Sequence, residues 1–319
     1  MSNLIDKVLT RKEIIENPPV LIDIGASGSL HPKWKKIAKY SWCIAFDADK
    51  RDFQFIEDEE GKFKKLFIYN CIVSDKDSGG SKFFLTKSPY CSSMLEPDNE
   101  KLKPFVFSHL FDVEKEVTLK TKSLSSVLNE LSITRIDWFK TDSQGIDLRL
   151  FKSLTPEIQK QVLVAEFEPG IISAYKGEDM LSQILEYFQT GNFWLSDINI
   201  KGVPRIPHDL LRKSFGSDIL FKLAKESIQK APGWGEMIFF NDFQINNLFT
   251  LREFLLGWVF ATIENQHPFA LVIAKKGAEI FRDDIFNAMG KESISAMKKD
   301  ILKLRFLPSV IIIFKKLLF

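Results

Sequence analysis

What most constrains this chain is a pair of short apolar runs, VLIDIG at 20–25 and SWCIAFDAD at 41–49, closed respectively by a glycine and by carboxylates. A continuous apolar run ended by a turn former is the pattern of a strand covered on both faces, as in a parallel sheet. A basic helix expected at 32–40 joins the two runs into a strand–turn–helix–strand unit of about thirty residues. Similar runs follow at 67–74, 136–142 and 162–169, added strands are expected at 82–86 and 113–120, and later ones at 193–198 and 237–241. Helical patterns separate them at 123–131, with Ser123 as the cap, at 147–154 and at 179–189. This alternation predicts an α/β fold with a doubly wound parallel sheet and one antiparallel strand near its end.

Three segments are expected: an N-terminal helix at 1–19, stopped by Pro18 and Pro19; a nucleotide-cofactor domain at 20–242; and a helical C-terminal extension at 243–319. The extension carries helical patterns at 248–264, 268–274 and 293–304. With 319 residues, 45% of them hydrophobic, the chain has enough apolar surface for a packed core. Its net charge of +2 provides no field for a polyanion, which argues against nucleic acid as partner. Cys43, Cys71 and Cys91 show no paired spacing and the four histidines stand singly, so buried thiols in a reducing compartment are expected, with neither disulfide scaffold nor metal site. The N-terminus has no secretory pattern and no run of about 18 apolar residues occurs, so a cytoplasmic protein is expected. The tail from 291 to 319 is basic and apolar; peripheral contact with anionic lipid, and packing on the domain or on a second subunit of a homo-oligomer, are both open readings.

In an open α/β sheet, ligands lie beyond the carboxyl ends of the strands where strand order reverses. After the first strand come Asp23, Gly25, Ala26, Ser27 and Gly28, small residues that let backbone approach a ligand. The second strand ends in Asp47, Ala48 and Asp49; a carboxylate there can accept both hydroxyls of a ribose, and Asp47 is the better placed, Asp49 being a candidate cap. The turn lacks the G-x-G-x-x-G spacing of dinucleotide sites, with Leu30 where a third glycine would fall. Asp23 would repel a pyrophosphate but suits a cationic group; a turn or cap role is its other reading.

The segments VLIDIGASGS, IAFDAD, CIVSD, VTLKTKSLSSVL and IDWFKTDSQGIDLRLFKSL, followed by AEFEPGIISAYKGE and GNFWLSDI, resemble the FkbM family of S-adenosylmethionine-dependent methyltransferases in the family's order. The similarity runs from Val20 to Asn241, and its most specific piece is Lys140-Thr141-Asp142-Ser143-Gln144-Gly145, which resembles the family's K-x-D-x-x-G signature. The chain departs from the family in having Ser29 where a second glycine usually stands. The resemblance implies a Rossmann-like class I methyltransferase acting on a hydroxyl of a sugar, glycan or natural product, with S-adenosylmethionine as cofactor. Carried over residue by residue, it implies that Asp23, Gly25, Ala26 and Ser27 bound the methionine half, that Asp47 holds the ribose, and that Gly28, Ala48 and Asp75 of CIVSD belong to the cofactor set.

Asp142 is the expected catalytic residue, as base or orienter of the attacking hydroxyl, with a helix cap as its other reading. Glu166 and Glu168 alternate with Phe167 and so share a face, where they raise one another's pKa or pair with lysines. His31 is a second candidate base, or a structural residue. The turn-rich stretch 88–94 could cover a substrate, whereas Phe105, Phe107 and Phe111 read as core before they read as a sugar platform. Two other functions fit the same fold: a nicotinamide-dependent reductase, and a non-catalytic module that keeps the fold for binding or assembly.

Overall fold

The computed structural model describes residues 2–26, 32–49, 51, 62–245 and 248–304. Two short helices, α1 (Ser2–Leu9) and α2 (Lys12–Glu16), open the chain where one helix was expected. Three parallel strands follow, β1 (Val20–Ile24), β2 (Trp42–Phe46) and β3 (Lys65–Tyr69). All five residues of β1 are buried, as its uninterrupted apolar run requires. The basic helix expected at 32–40 is instead two 3-10 turns, Pro32–Lys36 and Ala38–Tyr40.

The strand expected at 67–74 is two strands in two sheets. Asn70 donates from Nδ2 to the Asp47 carbonyl at 2.8 Å and turns the chain between β3 and β4 (Ile72–Ser74). β4, β5 (Ser78–Thr86) and β6 (Val113–Ser123) form a small sheet in the order β4-β6-β5. The short helix α3 (Asn99–Leu102) lies in the connection between β5 and β6, and Ser123 caps α4 (Leu124–Glu130) by accepting from Ser126 N.

The chain then re-enters the main sheet with β7 (Trp138–Thr141), passes α5 (Asp147–Lys152) and α6 (Pro156–Gln161), and continues through β8 (Val164–Phe167) and α7 (Leu181–Gln189). β9 (Phe193–Val203) and β10 (Ala231–Asn241) complete the sheet, joined by the helices α8 (His208–Ser214) and α9 (Asp218–Ser227), an excursion the sequence pattern did not signal. The seven strands run in the order β3-β2-β1-β7-β8-β10-β9, with β10 antiparallel to both neighbours and the other pairs parallel. Strand order therefore reverses between β1 and β7. The core carries a stack of aromatic rings from β7, α5, β8, α7 and β10, with Phe188 and Phe239 stacked at 4.3 Å and Phe139 edge-on to Phe151 at 5.3 Å. Burying each such ring is worth roughly 2–3 kcal/mol, so this cluster fixes the helices to the sheet.

The chain divides into two compact units, 19–244 and the described residues of 1–18 with 245–304. In the second unit α10 (Leu251–Ile263) is buried on all sides, only Leu251 and Glu253 escaping, and it packs with α11 (His267–Phe281) and α12 (Ile285–Leu304). A helix apolar all round belongs at the centre of its unit. The N-terminal helices pack on α10 as well. No helix among the described residues is long and apolar enough to cross a membrane. The expected lipid-facing or packing tail beyond Leu304 lies outside the described residues.

Candidate functional site

The ends of β1, β2 and β7 are stapled together at the point of strand-order reversal. Gly25 N and Ala26 N both donate to the Phe46 carbonyl at 3.0 Å, and Asp142 N donates to the Ile24 carbonyl at 2.9 Å. Gly25 has φ +77°, and a Cβ on it would stand 2.0 Å from the Asp142 carbonyl oxygen, so only glycine fits this crossing. A cleft of about 660 Å³, open to solvent, lies beyond these ends. Gly25, Asp47, Ala48 and Asp142 line it together, with Phe46, Ile72, Val73 and Ile146 as apolar walls. Asp47 is buried and accepts from Asp49 N at 2.8 Å through Oδ1.

Several expected site residues stand elsewhere. Asp23 does not line this cleft: in register with Lys140 on β7, it takes the lysine Nζ at 2.7 Å on Oδ1, so its charge is matched within the sheet. Its other oxygen is buried without a hydrogen bond among the described residues. Asp75 is exposed beyond β4 and does not reach the cleft, because β4 has left the main sheet; Cys71, Ile72 and Val73 line it instead. Ala26 is buried without lining it. Asp49 lines it but is clamped by Arg51 at 2.6 Å, and the same guanidinium reaches Thr86 O and Ser92 Oγ, fastening the 86–92 segment. Ser27, Gly28, Ser29, Leu30 and His31 lie outside the described residues.

The KTDSQGID turn owes its shape to Asp147 rather than to Asp142. The Asp147 carboxylate accepts from Thr141 Oγ1, Ser143 N, Ser143 Oγ and Glu168 N, the last at 3.0 Å, tying β7 to β8. The capping reading of Asp142 is thereby overturned: Ser143 and Asp147 serve the start of α5. Gln144 and Gly145 take left-handed conformations, φ +57° and +117°, which aim the Gln144 side chain back at Asp142. Gln144 Nε2 donates to Asp142 Oδ1 at 2.5 Å, and the Tyr175 hydroxyl lies 2.9 Å from both Gln144 Oε1 and Cys91 O.

A second, larger cleft of about 1090 Å³ meets the first along Tyr90, Asp142 and Gln144. Its walls are aromatic: Phe107 and Trp234 lie parallel with centroids 6.4 Å apart, and Phe111 stands edge-on to Phe107 at 5.1 Å and to Tyr175 at 5.6 Å. Phe107 and Phe111 thus face a cavity, whereas Phe105 is core as expected. Glu168 and Glu178 complete the lining. Sequence reasoning missed Glu178, Tyr175 and Trp234, which carry no periodicity or spacing signal and meet only where the loop after β8 packs against the start of β10.

Electrostatics concentrates on this junction. Burial pushes the Asp142 carboxyl up to about 7, with the Lys140 ammonium opposing and Asp147 adding to the rise. Burial, then the neighbouring Asp142 charge, pushes Glu168 up to about 9. Burial takes Glu178 to about 7 against the N–H groups of Ala174 and Tyr175. Burial works against the Lys140 ammonium, but Asp23 and Asp142 outweigh it and raise its pKa. Glu166 and Glu168 share a face as the alternation required and line a third cleft with Lys140, yet Glu166 is held by the Trp138 indole N–H at 2.5 Å, and it is Asp142 that adds charge to Glu168. A carboxyl titrating near 7 at the seam of two cavities can take a proton at neutral pH. No family model, no curated protein and no solved structure matches this chain.

Proposed function

We propose that the chain is a class I, S-adenosylmethionine-dependent O-methyltransferase that acts on a hydroxyl of a sugar or natural product. The observation that carries this reading is the position of Asp142, the common wall of a cleft at the strand-order reversal and of an aromatic cavity beside it. The residues fit such a cofactor. Asp47 offers acceptor-only oxygens for ribose hydroxyls at the end of β2, and Phe46, Ile72 and Val73 give apolar faces for a flat base. No Lys, Arg or His appears among the described residues lining the first cleft, which suits a sulfonium and disfavours the pyrophosphate that a nicotinamide dinucleotide would bring.

S-adenosylmethionine, when bound, supplies a methyl carbon activated by its sulfonium. The protein's part is to orient and to move a proton. Gln144, held by Tyr175, fixes one oxygen of Asp142 and leaves the other for the acceptor hydroxyl. The free oxygen of Asp142 would accept the proton of an acceptor hydroxyl presented to a bound methyl donor. An acceptor seated against the aromatic walls would displace water there, which strengthens each charge interaction.

Mass spectrometry of the purified protein under native conditions, with titration calorimetry of S-adenosylmethionine and S-adenosylhomocysteine, tests the reading directly. Bound cofactor or micromolar affinity is expected, and Asp47→Ala should weaken it by about tenfold or more, the loss of a charge-assisted hydrogen-bond pair. A protein that ignores both compounds is no methyltransferase, and NADH fluorescence on mixing would then identify a reductase.

A further inference from the structure

Glu168 and Glu178 line the aromatic cavity but not the first cleft, so a cation held beside Asp47 does not neutralise them; Glu178 accepts from Ala174 N at 2.6 Å, and Glu168 also lines the third cleft with Lys140. Three carboxyl groups therefore look into this cavity, and no Lys, Arg or His appears among its described lining residues. Glu168 has neither a hydrogen bond nor an ion pair from its carboxyl to any described residue. Glu168 is half-buried, and a carboxyl partly withdrawn from water with no partner is costly unless it is neutralised by a proton or by a ligand. Among the described residues no group of three or more His, Cys, Asp or Glu side chains is spaced to hold a metal ion. Aromatic faces alternating with dispersed carboxyls are the surroundings in which an organic ammonium is stabilised, by the ring quadrupoles and by charge-assisted hydrogen bonds or ion pairs.

We propose that the acceptor is a cation: an amine-bearing or quaternary-ammonium molecule whose charged nitrogen sits between Trp234 and Phe107 on one side and Glu168 and Glu178 on the other. The word acceptor rests on the methyl-transfer reading above; the selectivity for positive charge does not. An amino sugar or an amine-bearing natural product satisfies both, its ammonium seated among the carboxyls and a hydroxyl presented to Asp142. The proton that leaves Glu168 when such a cation binds goes to solvent, since burial and the Asp142 charge favour its neutral form in the empty cavity. The charged groups that act on Glu168 are Lys140 of β7 and Asp142 just after it, Asp147 of α5 and Glu236 of β10, of which only Lys140 is cationic.

A matched pair of probes isolates the charge: choline and its neutral isostere 3,3-dimethylbutan-1-ol, titrated into the full chain by calorimetry and by ligand-observed NMR. Choline should bind about tenfold more tightly or better, the size of a desolvated cation–π contact plus a carboxylate. Its affinity should rise with pH up to about 9, where Glu168 titrates, with net proton release in buffers of different ionisation enthalpy, while the alcohol stays flat. Glu168→Gln, nearly isosteric, should lower choline affinity by about tenfold and leave the alcohol unchanged, with Glu178→Gln as the second variant and circular dichroism as the folding control. Equal affinities for the two probes, an alcohol that binds better, an indifferent Glu168→Gln variant or no choline binding at all each overturn the proposal. Choline selectivity without S-adenosylmethionine affinity would overturn the methyl-transfer reading alone, and the reverse result would overturn this one alone.

Discussion

Asp142 combines a carboxyl titrating near neutrality with a fixed hydrogen bond from Gln144, and its behaviour under substitution is correspondingly specific. On the methyl-transfer proposal Asp142 accepts a proton and acts when ionised, so kcat/KM should rise with pH through about 7 and then level. Asp142→Asn should lower kcat by about 10²–10⁴-fold with little change in cofactor affinity, read from steady-state rates beside calorimetry. The same carboxyls shape stability. Asp142, Glu168 and Glu178 all have folded pKa values above their unfolded ones, so what they contribute is fully present below about pH 4 and is lost as pH rises through about 7 for Asp142 and Glu178 and about 9 for Glu168. Urea midpoints should therefore fall from pH 6 to pH 10, and Glu168→Gln should flatten the upper part of that decline; an unchanged slope would mean that Glu168 is not held neutral. At this scale the sequence made Gly25, Asp47, Ala48 and Asp142 legible, because each follows a strand whose apolar run announces it. Asp23 was misread since its partner Lys140 comes from a strand more than a hundred residues away, and no local pattern shows that the two are in register.

Elements were legible where burial is uniform and illegible where it changes along a run. The apolar stretch at 67–74 contains no breaker strong enough to show that the chain leaves one sheet for another, because Asn70 does this with a side-chain bond to Asp47 O. The excursion of α8 and α9 escaped because Leu210, Ile219, Leu220 and Leu223 stay exposed, so its apolar positions do not mark one buried stripe. Among the C-terminal helices, packing makes a prediction that propensity alone would invert. A Cβ on Gly277 of α11 would stand 2.4 Å from the buried ring of Phe286 on α12, whereas one on Gly290 would meet nothing nearer than 3.5 Å. Gly→Ala in a helix gains about 1 kcal/mol, and overpacking costs roughly 1–3 kcal/mol. Gly290→Ala should thus raise the urea midpoint and Gly277→Ala lower it, the sign being set by the neighbour.

For the molecule as a whole, one unit is assembled from both ends of the chain, and Arg252 is the stitch. The guanidinium is buried and donates to Asn17 O at 2.8 Å and Pro18 O at 3.1 Å, while holding Glu253 at 2.9 Å. Arg252→Ala would leave two carbonyls without these donors and should cost about 2–3 kcal/mol in equilibrium unfolding, with earlier proteolytic release of the N-terminal helices. This union of termini was not legible in the sequence, since an apolar stripe shows that a helix is covered without showing by what. The unit holding the sheet has its own long-range consequence. Because a single titratable oxygen pair borders both clefts, a positive guest in either one draws Asp142 toward its ionised form and prepares it for a guest in the other. Thermodynamic linkage makes this influence reciprocal: whatever factor the first occupant adds to the affinity of the second, the second returns to the first, less their mutual repulsion.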